Sequence, residues 1–459
     1  MTKIDTRFPV LVGLGLLLAS GLVGQQNQLA GSVPTGTASS TPLALTLRDA
    51  IERGLRTNLR TLTSATASEI ARGQRQRAMS ALLPEAHGQI SEIDQQLNLK
   101  TFGLNFPGIP PIAGPFHYTD LRAFASMSVF DYGARKTYKA AQESLRAAQL
   151  SIQDARDLVV QAVAGGYLQI IADASRVAAI RSQVLTDQAL YDRAVDRKKA
   201  GASAGIDVLR SQVELKQQQQ RLLAQENQLA KDKLALGRAI GLPSGQEFTI
   251  AESAPYSPLA ATTADQALRT ALEQRPDYQS AKAQVRAAEE AVKAAHAERY
   301  PIAGVTADYG DVGPTIANSH GTFTLAGSVK FNIYGGGRIR GDITQAKANL
   351  KQRQDELADL GGQIDYQVRT ALLDIQSAAD QVAVAESNLQ LANQTLEQAR
   401  DRFSAGVADT IEVVQAQESV ASANDNLISS LYSHNLAKVA LARALGSAEQ
   451  GIRKFVEVK

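Results

Sequence analysis

Apolar residues along this chain follow two periods. Between about residues 338 and 403 they recur every seventh position. One row runs Ile343, Leu350, Leu357, Ile364, then Ala371, Ala378, Ala385, Ala392 and Ala399. A companion row holds Val368, Ile375, Val382, Leu389, Leu396 and Phe403. A heptad sustained this long predicts a coiled-coil seam, and the alanines let two backbones approach closely. A helix of ~65 residues is about 100 Å long at 1.5 Å per residue, so it spans a distance or walls a tube. Val208, Leu215, Leu222, Leu229 and Leu236 keep the same rhythm, as do Val413, Val420, Leu427 and Leu441 with His434 in step. Other stretches alternate instead. In 322–333, Phe323, Leu325, Val329, Phe331 and Ile333 fall on one side, with Thr324, Ser328, Lys330 and Asn332 on the other. Residues 121–130 alternate less strongly, and 302–310 and 87–96 less again. Strands of about ten residues with this alternation suit a transmembrane β-barrel, or a half-buried hairpin in a soluble domain. Four strands cannot close a barrel, because the smallest has about eight. An open edge in lipid leaves backbone groups unpaired. Two chains together would supply eight strands and three would supply twelve; the pattern by itself does not choose.

The chain also repeats itself. Residues 46–62 align with 263–279, placing Ala50 on Ala267 and Leu55 on Leu272, and further on Pro84 meets Pro301. The stretch "SVFDYGARKTYKAAQ" (128–142) is echoed by "VKFNIYGGGRIRGDITQA" (329–346), so Tyr132 meets Tyr334 and Gly133 meets Gly335. Residues 197–212 align with 402–417, placing Gly201 on Gly406 and Asp207 on Glu412, and Gly241 meets Gly446. The first half carries extra residues around the Pro/Gly-rich 103–116, a loop signal. Each half is therefore predicted to run two shorter helices, two strands and a pair of very long helices. The resulting division is 43–245, with a β-hairpin at about 86–131 and a helical turn at 201, then a linker at 246–262. The second half is 263–446, with a β-hairpin at about 302–334 and a turn at 406, followed by a tail at 447–459.

Composition narrows the function classes. With 459 residues and a net charge of +2, there is no basic field for nucleic acid. Aromatic residues make up 5%, and tryptophan and cysteine are absent, which excludes disulfides, thiolate metal sites and cysteine nucleophiles. Lys3 and Arg7 precede an apolar run from Val10 to Val23, and small residues such as Ala19, Gly21 and Gly24 offer cleavage points. This reads as a signal peptide over 1–24, the run being shorter than the ~20 residues of a membrane span. Residues 25–42 are Gly/Ser/Thr-rich and read as a flexible segment. The histidines, His87, His117, His296, His320 and His434, show no metal-ligand spacing, and no GxSxG element occurs. No metal, cofactor or catalytic residue is expected. The Gly335–Gly337 run in "FNIYGGGRIRGD" lacks P-loop spacing and the last glycine of GxGxxG. Its RGD tripeptide should lie in the first turns of a long helix. The echo at Gly133 marks both stretches as strand-to-helix joints, with Gly335, Gly336 and Gly337 turning the backbone.

Taken together, the doubled plan, "LTLRDAIERGL", the joints "FDYGARK" and "FNIYGGGR", and RxxxG before an acidic-Val pair at each helical turn resemble TolC-like outer membrane efflux proteins. The likeness runs from about residue 43 to Gly446. It implies a mainly α fold whose long coiled-coil hairpins form an α-barrel. It also implies a homotrimer, in which four strands per chain build a twelve-stranded barrel in outer-membrane lipid. The function implied is passive export, with solute delivered by a periplasmic adaptor and an inner-membrane transporter. By the same resemblance Arg197, Gly201, Arg402 and Gly406 would contact the adaptor at the hairpin tips. Asp207 and Glu412 would form a periplasmic gate. Gln415 stands where better-known members carry a second acidic ring. The other reading of Asp207 and Glu412 is that acids near helix N-termini interact well with the helix dipole. A soluble periplasmic coiled-coil adaptor or scaffold is the alternative function, although an adaptor would show one hairpin rather than two matched halves.

Overall fold

The computed structural model describes residues 31–455 apart from 104–106, 109, 202–203, 252–255, 258–262, 406 and 408–409. The expected signal peptide, the start of the leader, much of the linker, Gly406 and the last four residues lie outside the described residues. In chain order the elements are β1 (Leu43–Leu45), α1 (Leu47–Thr57), α2 (Leu59–Ser80), β2 (Glu85–Asn98), β3 (Ile112–Phe130), α3 (Tyr132–Lys199) and α4 (Gly205–Ala239). There follow β4 (Phe248–Ile250), α5 (Ala264–Gln274), α6 (Pro276–Ala297), β5 (Ile302–Gly313), β6 (His320–Lys330), α7 (Arg338–Ser404), α8 (Thr410–Ala444) and α9 (Ala448–Phe455). Helices α1 to α4 have 11, 22, 68 and 35 residues. Helices α5 to α8 have 11, 22, 67 and 35.

The sequence expectation of paired very long helices needs a correction. Only the first member of each pair is long. Helix α4 stops at Gly241 (φ +66°) and α8 at Gly446 (φ +74°), left-handed positions that a helix cannot continue through. The shorter α2 takes up part of the remaining length of α3, and α6 packs against both α3 and α7. Each long helix thus has a short and a medium helix along it, and the wall stays continuous past the break.

Where α1, α3, α4 and α8 meet, the chain has its main core. Val159, Val160, Val163, Ala164, Leu168 and Ile170 of α3 pack there with Ile51, Leu236, Ile240 and Val439. Helix α3 contains a window apolar enough by composition to cross a membrane, but more than half of that window is buried inside the protein. Its hydrophobicity serves this junction. Buried Tyr167 donates its hydroxyl to the Leu45 carbonyl (3.0 Å), tying β1 to α3. Charged groups lock the two series together at the same level. Arg443 of α8 bonds Asp154 of α3 and approaches Asp277 of α6, which Arg275 also holds at 2.6 Å.

The leader and the tail are both held to the body of the chain by hydrogen bonds and ion pairs. Residues 31–42 read as a loose leader, yet Val33 donates to the Thr57 carbonyl (2.9 Å), Thr35 to Gly241 (3.1 Å), and Gln246 reaches both Ser39 and Thr41. Strands β1 and β4 then pair in parallel, Leu43 with Phe248 to Leu45 with Ile250. The tail at 447–459 contains α9, where Glu449 receives both guanidinium donors of Arg156 at 2.7 and 2.5 Å.

The larger sheet has the order β2-β3-β5-β6, all antiparallel. Its two hairpins meet along β3 and β5, with Ala125 opposite Ala307 and Met127 opposite Val305. Strands β2 and β6 are therefore both edges within the chain.

Candidate functional site

Two regions hold the residues singled out in the sequence: the sheet with its joints, and the helical tips.

The sheet has two distinct faces. Phe323, Leu325 and Val329 of β6 share one side with Tyr309, Ala307 and Val305 of β5 and Met127 of β3. Phe323 is 78% exposed and Leu325 71%, so this apolar face has no cover within the chain. The opposite face is polar. There Arg122 bonds Asp308, donates Nε to Asp120 (3.2 Å) and donates Nη2 to Thr322 (2.9 Å). The network crosses three strands and satisfies a cation beside two carboxylates.

The two joints below the sheet are built differently. Gly133 lies at the passage from β3 to α3, in the first turn of the helix. There Asp131 caps the helix, its Oδ1 accepting from the Ala134 N–H at 2.7 Å. A Cβ on Gly133 would meet that Oδ1 at 3.3 Å, so the glycine admits the cap. In the second joint Gly335 also has an ordinary φ. Gly336 (φ +58°) and Gly337 (φ +91°) make the turn, and Gly337 is the N-cap of α7. The same passage is thus made by a side-chain cap once and by left-handed glycines once. The Arg-Gly-Asp tripeptide lies within the first turns of α7, as expected. Arg338 turns back to Glu298 (2.7 Å) and Asp342 (3.0 Å).

At the far end, α3 and α4 turn over at Gly201 (φ +73°), where glycine makes the left-handed backbone inexpensive. Gly406 lies outside the described residues. The two hairpins touch at their ends, since the Arg197 guanidinium sits 5.3 Å over the Phe403 ring. Asp207 and Glu412 occupy the first turns of α4 and α8, where acids complement the helix dipole. Glu412 is paired with Arg402 at 3.0 Å, across the turn between α7 and α8. Asp207 and Gln415 line one groove of about 400 Å³ between α4 and α8. Its apolar wall is Ile206, Leu209, Val213 and Ile411, each more than 40% exposed. The structure therefore brings Asp207 and Gln415 to one cleft and ties Glu412 to a tip arginine instead.

Sequence reasoning passed over the buried carboxylates of α3; besides Asp157, these are Asp173 and Asp187. The signal was present: they stand fourteen positions apart in a heptad row that is otherwise apolar or small. Among the described residues, no group of histidines and acids is arranged to hold a metal.

Comparison with known proteins agrees with this geometry. The protein is 25% identical over 343 residues to the pyoverdine export outer membrane protein OpmQ of Pseudomonas aeruginosa, covering 72% of this chain and 70% of that one. It is 24% identical over 338 residues to the cation efflux system protein CusC of Escherichia coli, covering 71% of each. The fold matches the Campylobacter jejuni CmeC outer membrane channel with a TM-score of 0.78 at 16% identity, over 95% of this chain and 94% of that one. It matches the outer membrane protein VceC of Vibrio cholerae with a TM-score of 0.75 at 19% identity, over 87% and 96%. The family model described as outer membrane efflux protein matches residues 118–242 and 267–447. These two segments take in most of β3, all of β5 and β6, both long hairpins and both tips, and the chain belongs to the outer membrane efflux protein family.

Proposed function

We propose that the protein is the outer-membrane exit duct of a tripartite export system, passively conducting solute that a periplasmic adaptor and an inner-membrane transporter deliver. The observation that carries this reading is the four-stranded sheet, apolar and uncovered on one face, polar on the other, and open at both edges. In lipid such edges must be paired. Three chains, each joining its β6 to the β2 of the next, make a closed twelve-stranded barrel. The apolar face then meets lipid and the Arg122 network faces the lumen. Helices of about 100 Å continue the wall into the periplasm. The names of the relatives, pyoverdine export and cation efflux, support the same class of function while differing in cargo, as expected if the pump selects the solute.

At the tips, Asp207 and Glu412 are the gate acids in this reading. The threefold axis repeats each of them around the mouth, where a ring of like charge favours cations. Gln415 leaves the second position of the gate uncharged. Arg197, Gly201, Arg402 and Gly406 form the surface offered to the adaptor. Purification from outer membranes followed by planar-bilayer recording tests the duct. Heat-sensitive trimers with steady conductance are expected. Recovery as a soluble, non-conducting monomer would overturn the proposal.

A further inference from the structure

The seam between α3 and α4 differs in chemistry from the seam between α7 and α8. Along α7 the closely packed row is alanine, with Ala371, Ala378, Ala385, Ala392 and Ala399 all buried. Along α3 the heptad row reads Val159, Gly166, Asp173, Ile180, Asp187 and Ala194. Asp173 and Asp187 are each 2% exposed. A row of α4 is polar at the same spacing: Ser211, Gln218, Gln225 and Asp232.

The two aspartates are not equally well served. Asp173 receives Gln169 (2.9 Å), Gln225 (3.0 Å) and the Arg176 guanidinium (3.0 Å), so both of its oxygens have donors. Asp187 receives only Gln183, at 3.1 Å on Oδ1, and its Oδ2 has no partner among the described residues. Glu214 faces Asp187 from α4, with Arg221 of the same helix as a weaker, opposing charge. Glu214 is itself held by Gln218, at 3.1 Å. Helix α8 contributes Glu418 to the neighbouring groove, beside Gln183, Gln218 and Arg221. An ionised Asp187 would therefore lie buried beside an acid. A buried carboxylate without enough donors favours its neutral form.

We propose that Asp187 is a proton-operated latch on the tip half of the α3–α4 hairpin: neutral, it packs in the seam; ionised, it repels Glu214 and loosens the hairpin down to the turn at Gly201. Burial first, and Glu214 second, push the Asp187 carboxyl up to about 6. An unfolded aspartate titrates near ~3.9. The folded value is the higher one. The stabilisation is therefore complete below ~3.9 and is lost as pH rises through about 6. The tip half is tight in acid and looser at neutral pH. The α7–α8 seam, lined by alanine, does not respond in this way.

Hydrogen exchange of the full-length protein in detergent micelles tests the latch without reference to transport. After correction for the intrinsic effect of pH, peptides from 188–199 and 205–214 should exchange roughly ten-fold faster at pH 7.5 than at pH 5.0. Peptides from the tip half of α7 and α8 should not change. Asp187→Asn should abolish the difference and keep the tip protected at both pH values. Glu214→Gln should lower the midpoint by roughly half to one pH unit. Equal protection of the wild type at both pH values, or an undiminished pH response in Asp187→Asn, would overturn the proposal. If Asp187→Asn fails to fold, an unmoved midpoint in Glu214→Gln overturns it equally.

Discussion

Gly446 follows the last turn of α8 with φ +74°, and a Cβ there would come within 2.6 Å of the Arg275 Cα. Gly337, at the start of α7, has φ +91° and nothing within 4 Å. The two positions separate two costs that are usually confounded. Gly337→Ala meets only the left-handed penalty, about 1 kcal/mol. Gly446→Ala adds a backbone clash with the α5–α6 junction, and should cost about 3 kcal/mol or more. Thermal melts of the two variants check this: Gly446→Ala should melt clearly lower, and Gly337→Ala close to wild type. At this scale the sequence was a partial guide. It matched Gly241 with Gly446 and Gly201 with Gly406. It could not distinguish Gly133, kept small beside a capping aspartate, from Gly336 and Gly337, which carry the turn. That distinction depends on φ, and a glycine in the sequence does not declare its φ.

The strands and helices are legible to different degrees. The seven-residue rows locate α7 and its partner because each apolar residue must meet the same neighbour every two turns. In β6 the alternation was equally clear, and Leu325 with Phe323 does stand on the uncovered face. If that face meets lipid, Leu325→Arg near mid-strand should destabilise the folded protein by about 2–4 kcal/mol. Thr324→Arg, one residue away on the polar face, should cost little. Urea titration of the protein refolded into vesicles measures both. Equal costs would place lipid on neither face. The short strands β1 and β4 carry no such signal. Three residues cannot establish a period, and their parallel pairing joins positions 43 and 248, which only the packed core brings together. The lengths of α4 and α8 were also overestimated, because the heptad row continues to the glycine and does not reveal that the long partner extends well beyond it.

For the whole molecule, the chain buries its main core where α1, α3, α4 and α8 meet and leaves its four-stranded sheet open at both edges. The proposed gate acids matter at this scale, because a single Glu412 paired with Arg402 is an ordinary surface ion pair, worth little by itself. Repeated around the threefold axis of the proposed trimer, it would form a ring. Glu412→Ala should weaken block by divalent cations in planar-bilayer recordings while leaving the unblocked conductance close to wild type. Block that matches the parent would remove Glu412 from the gate and leave Asp207 and Gln415, which share a groove, as the remaining residues of the mouth.

By itself the sequence determined the class of structure: two matched series of helices and strands, long seams, and a sheet with one apolar face. Periodic patterns report such features because every turn of helix or pair of strand residues repeats the same environment. The tertiary structure decided what has no period. It closed the leader and tail onto the core through hydrogen bonds to distant residues. It paired Glu412 with Arg402, sent Asp207 to the groove with Gln415, and enclosed Asp187 beside Glu214. An aspartate in a heptad row looks the same in sequence whether it finds a glutamine or an acid across the seam. For Asp187 it is burial first, and the neighbour supplied by the fold second, that favour the neutral form.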